Sequence, residues 1–170
     1  MMVKTATKTE IMLARVAIIL LIAFTVFGVG WYGLSDEVRH RVWDQLVARP
    51  TGPMAFRFIL QPVMAGIAAL RDGIADAKSH RSTFFWTLLL THPSESGGLL
   101  HEGLIATARI ILLGLGMDMI YQLIVLKTFY PGEAVIVAIA LAFFPYLLLR
   151  GPIARIARWW LDSASVNEKR

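Results

Sequence analysis

The residue most able to do chemistry in this chain is Asp118, a carboxylate set inside the apolar helix expected over residues 99–126. An ionised acid in such a place is expensive unless it meets a cation, a hydrogen-bond network or water. Gly114, Asp118 and Gln122 are spaced by four and Tyr121 adjoins them, so they fall on one helix face, with the glycine opening room for a close neighbour. Arg109 lies nine positions from Asp118, on the opposite face, and shares its own face with Glu102. The cation for Asp118 must therefore come from another helix. Arg15 is the candidate if the N-terminus is outside, and Arg57 if it is inside. Three roles suit such an acid: an intrachain pair that fixes helix register, a contact to a partner subunit, and a proton or ion site.

Other patterns have duller explanations. Gly28, Gly30 and Gly33 spell a literal G-x-G-x-x-G, but dinucleotide binding needs that motif after a strand and opening a helix, whereas here it closes an apolar run. His40, His80, His92 and His101 all lie outside the middle of any span, and the sequence cluster of His92, Glu95, His101 and Glu102 has no metal-ligand spacing. Ser94 and Ser96 read as helix caps. The expectation is no catalytic residue, no metal and no cofactor, and hence a non-enzymatic protein.

What must position Asp118 is a set of long apolar runs. Of 170 residues, 56% are hydrophobic, the mean hydropathy is +0.61, and the apolar residues gather in blocks, which predicts an all-α integral membrane protein. A first helix over 11–34, ending on Trp31 and Tyr32 at an interface, reads as a retained transmembrane span and not a cleaved signal. Ser35 caps an interfacial amphipathic helix over 36–49, which Pro50 to Pro53 end. Only 13 uncharged residues separate Arg57 from Arg71, with Pro62 among them, so 54–78 reads as interfacial or re-entrant, its helix running from Val63 towards Lys78. A further aromatic patch spans 84–90, and 92–98 reads as a loop. The span 99–126 turns at Thr128 to Gly132 into a span over 133–149, an antiparallel hairpin with a kink at Pro145, seamed by the small residues Ala134, Ala138 and Ala142. A hairpin centred near Tyr130 puts Asp118 level with Leu141 and Ala142. Residues 150–170 form a basic cytoplasmic tail.

This makes a single membrane domain with three full spans; a crossing by 54–70 would make four. Three spans place twelve basic residues inside and four outside, four spans eleven and five, so the positive-inside rule barely separates them. In both, the C-terminus is cytoplasmic, as for a protein of the bacterial inner membrane. The net charge of +5 flanks the apolar runs and forms no stripe, which points to anionic lipid head groups at the basic tail and away from nucleic acid. A short chain with a small-residue seam and several interfacial helices fits an accessory or assembly subunit, with a membrane protein partner or a homo-oligomer as its context. The alternative is an oligomeric transporter or channel with Asp118, Tyr121 and Gln122 on its path.

Overall fold

A computed structural model describes residues 6–33, 35–52, 54–79 and 93–167. The fold is all-helical, and four of its helices are long and apolar enough to cross a membrane. α1 (Lys8–Tyr32) starts from a capping box, in which the Thr7 hydroxyl accepts from the Glu10 amide and the Glu10 carboxylate accepts from the Thr7 amide. It stops at Gly33, whose φ of +73° suits only glycine without strain. α2 (Asp36–Ala48) is capped by Ser35, as its sequence predicts, and runs into a 3₁₀ turn over Arg49–Thr51.

The stretch expected at the interface is different. α3 (Arg57–Lys78) is one continuous helix that begins before Pro62 and passes through it. Pro62 removes one backbone donor near the helix start, where the neighbouring turn tolerates the loss better than mid-helix. By length and composition the helices thus fit the four-span alternative. Arg57 and Arg71 bound a short uncharged window, but Arg57 is buried among protein side chains, so the window understates the helix.

α4 (Pro93–Tyr121) takes in Pro93 to Gly98, which the composition predicts as loop; proline at a first helical position gives up a donor that has no partner there anyway. It continues as a π-helical turn over Gln122–Leu126 and ends on left-handed Lys127. α5 (Pro131–Ala138) passes through a second π turn (Ile139–Phe143) into α6 (Phe144–Asn167). The wider turn falls immediately before Pro145, which accommodates its missing donor, a common cause of a local bend. Helix thus runs unbroken past Leu149, and the expected surface tail is instead a helical extension of the last span. The patch 84–90 and His80 and His92 lie outside the described residues.

The four long helices alternate in direction. One end of the bundle, the turn end, gathers the C-terminus of α1, α2, the start of α3 and the 127–130 turn. The other, the tail end, gathers the end of α3, the start of α4 and the second half of α6. α3 lies along α6, and α1 lies against α4 and α5. Small residues set the spacing: Ala14, Ala17, Ala65, Ala69, Ala134, Ala138 and Ala142 are all at most 1% exposed, with Ile111 and Leu115 between them. The predicted seam of Ala134, Ala138 and Ala142 is among them. A Cβ on Gly114 would lie 3.4 Å from Ala138, and Gln122 bonds Tyr130, so the hairpin is centred near Leu126. Asp118 therefore sits level with Ala134, not with Leu141 and Ala142.

Gly28 marks a close helix approach. A Cβ there would meet the Gly132 backbone nitrogen at 2.8 Å, and backbone cannot rotate out of the way. Gly28→Ala is expected to cost about 1–3 kcal/mol, the usual range for overpacking. A thermal-denaturation midpoint in detergent checks it, with Gly30→Ala, which meets nothing within 4 Å, as the neutral comparison.

Candidate functional site

Two clusters of buried charge lie at opposite ends of the bundle. At the turn end, Asp118 on α4 is fully buried and its Oδ1 lies 2.7 Å from Nη1 of Arg57, itself 1% exposed, on α3. Gln122, one turn on, donates from Nε2 to the other Asp118 oxygen at 2.6 Å and to the Tyr130 carbonyl at 3.1 Å. Its own Oε1 accepts from the Tyr130 amide at 2.6 Å. The Tyr121 ring lies 4.8 Å from the Arg57 guanidinium carbon. Helical spacing aligns Asp118 with Gln122, the π turn carries Gln122 to the hairpin turn, and α3 supplies the cation. Gln61, one turn along α3 from Arg57, is also fully buried; both its amide atoms lack a hydrogen-bond partner among the described residues, and its Oε1 packs over Gly114.

Beside this cluster, Arg41 of α2 reaches back to the bundle. Its guanidinium lies 4.1 Å from the Tyr130 ring centre and 5.4 Å from that of Tyr32, and its Nε is 3.7 Å from buried Glu133 at the start of α5. The Tyr32 hydroxyl donates to the Phe129 carbonyl at 2.8 Å, tying α1 to the same turn.

At the tail end, Arg150 uses every nitrogen of its side chain. Nε and Nη2 donate to the two oxygens of Asp76 at 2.7 and 3.1 Å, Nη2 also donates to Glu102 at 2.6 Å, and Nη1 donates to the Tyr146 hydroxyl at 2.7 Å. Tyr146 in turn donates to Asp72 at 2.8 Å. The network joins α3, α4 and α6 around a guanidinium that is 1% exposed, and bidentate geometry on Asp76 makes it a strong contact.

From Gln61 to Asp72 the chain rises about 16 Å along α3. The only buried α3 side chains in between are Ala65 and Ala69, which join the apolar cluster holding Ile111, Leu115 and Ala142. The two polar clusters are thus separated by an apolar layer.

Of the residues singled out from the sequence, Asp118, Tyr121, Gln122 and Gly114 come together, and Arg57 is the cation. Arg15 and Arg109 are exposed and take no part; the Glu102 that shares a face with Arg109 bonds Arg150 instead. Among the described residues no group of three or more His, Asp and Glu side chains converges as a metal site would require. The Arg150 network escapes the sequence reading because Arg150 looks like the first residue of a basic tail. One signal was present: Asp72 and Asp76 repeat the four-residue spacing of Tyr146 and Arg150, which is what two paired helix faces need.

Fold and site define an all-helical protein with four long apolar helices, in which buried ion pairs join α3 to α4 at the turn end and α3, α4 and α6 at the tail end. No family model, curated protein or solved structure matches the chain.

Proposed function

We propose that this chain is a small, non-enzymatic, multi-pass protein of the bacterial inner membrane that serves as an accessory or assembly subunit of a larger membrane complex. The observation that supports this reading is the apolar layer of Ala65, Ala69, Ile111, Leu115 and Ala142 between two clusters of buried ion pairs. Charges closed on one another on either side of such a layer hold helices in register; they do not line a path. What the bundle offers to other molecules is its outside, including α2, which touches the bundle through few residues and leaves Trp43 and Val47 67% and 61% exposed. Purification of the tagged chain from its native membrane in mild detergent is expected to bring a membrane protein with it, and a lone monomer would overturn the proposal.

Helix direction puts Arg71, Lys78, Arg155 and Arg158 at the tail end, which the positive-inside rule places in the cytoplasm together with the C-terminus. A reporter fused at residue 45 is then expected outside, where the three-span arrangement would put it inside. Phosphatase and fluorescent-protein fusions at that site read the difference directly.

One observation favours a second reading, an oligomeric transporter acting at Asp118. The Gln61 amide, without a partner among the described residues, is a polar surplus beside the Arg57–Asp118 pair that a purely structural clamp does not need. Proteoliposome flux left unchanged by Asp118→Asn would remove it.

A further inference from the structure

The helix that runs from Pro131 through α6 is far longer than a hydrocarbon core requires, and its outer face keeps one character well beyond Arg150. Phe144, Leu148 and Leu149 are exposed, and the stripe continues through Ile156, Trp159 and Trp160, at 66%, 71% and 68% exposure. From Pro131 to Trp160 the rise is about 43 Å, which matches the roughly 40–45 Å of a bilayer with its head groups. At the other end stand Trp31, Tyr32 and Tyr130. Two aromatic belts one bilayer apart place Trp159 and Trp160 among the head groups of the tail-end leaflet.

Arg155, Arg158 and Trp159 occupy positions i, i+3 and i+4, so two guanidinium groups and an indole share one face at that depth. Arg155 is exposed and Arg158 half-buried; Asp162 closes the far end of the face. Further arginine and lysine at this end, Arg71, Lys78 and Lys8, are exposed as well. The exposed charges at the turn end are more evenly mixed, with Asp36, Glu37 and Asp44 beside Arg39 and Lys127. A planar guanidinium matches phosphate oxygens in a way an ammonium does not, and an adjacent indole suits the boundary between glycerol and head group.

We propose that Arg155, Arg158 and Trp159 form a binding site for the phosphate head group of an anionic phospholipid in the tail-end leaflet. The site is independent of the accessory-subunit reading, since it requires a bilayer and no partner chain. Full-length protein reconstituted in phosphatidylcholine mixed with phosphatidylglycerol, then released into detergent and weighed intact, is expected to retain phosphatidylglycerol in preference. Arg155→Gln with Arg158→Gln is expected to lower that retention by about tenfold or more, as two basic groups at an anionic surface imply. Arg39→Gln at the turn end should leave it unchanged. Equal retention by the Arg155/Arg158 double variant and the wild type would overturn the proposal. A second measurement guards against a folding defect: with Trp31, Trp43 and Trp86 replaced by Phe, leaving Trp159 and Trp160 as the only fluorophores, brominated phosphatidylglycerol should quench more than brominated phosphatidylcholine. Equal quenching by the two lipids would mean no preference for the anionic head group at this face and overturn the proposal equally.

Discussion

Asp118→Ala is expected to be among the most damaging single substitutions in the chain, lowering stability by about 3–5 kcal/mol, because it leaves the Arg57 guanidinium buried without its counter-charge. The distance of 2.7 Å and the burial of both partners, at most 1% exposed, leave no easy route for water to substitute. Gln122 would lose an acceptor in the same stroke, while its two contacts to Tyr130 would persist. Removing both charges is a different case. Replacing a buried pair by apolar groups of similar volume is often neutral or better, since neither partner is then stranded. Arg57→Met with Asp118→Leu should therefore recover most of the stability lost by Asp118→Ala. Reversible unfolding in mixed micelles, run as a double-mutant cycle, measures the coupling. A double variant as unstable as the single one would show that the site needs the charges themselves. That outcome would shift weight towards the transport reading.

Arg150→Met is the second large effect, again expected at about 3–5 kcal/mol, and here no neutral double rescue is available. One guanidinium serves Asp76, Glu102 and Tyr146, and Tyr146 holds Asp72. Losing it strands Asp76, 4% exposed, and leaves Asp72, Asp76 and Glu102 facing one another without their central cation. Arg150→Lys should recover only part of the loss, because a single ammonium cannot span both oxygens of Asp76 and still reach Glu102. Glu102, whose side chain is 42% exposed, can turn to solvent, so Glu102→Gln should cost much less. The same unfolding assay ranks the three, and the order Arg150→Met, Arg150→Lys, Glu102→Gln from worst to mildest is the expected result. An equal cost for all three would mean that the Arg150–Glu102 contact matters as much as the bidentate pair with Asp76.

The two clusters bear on function through what lies between them. Polar groups at matching depths on all helices would describe a path. Here alanines allow the helices to close, and closure with dispersion contacts is how a bundle gains stability where apolar surface has no water to escape. The same close packing sets Gly114 against Ala138 and Gly28 against the Gly132 backbone.

Hydropathy blocks, the Ser35 cap and the four-residue spacing of Gly114, Asp118 and Gln122 were all readable from the sequence, because each depends on neighbours within about two turns of chain. The alanine seam of the last helix was readable for the same reason. The partner of Asp118 was not: choosing Arg57 over Arg15 depends on whether α3 crosses the bundle, and local hydropathy undervalues a helix whose charged ends are neutralised by other helices. Arg150 shows the same limit from the other side. By sequence it opens a basic tail; in the fold it is the centre of a buried network, since continuous helix carries it past Asp76 and Glu102. Local periodicity determined which faces are apolar. Only tertiary structure decided which charges are exposed and which are paired, because the free energy of a buried charge is set by groups distant in sequence and near in space.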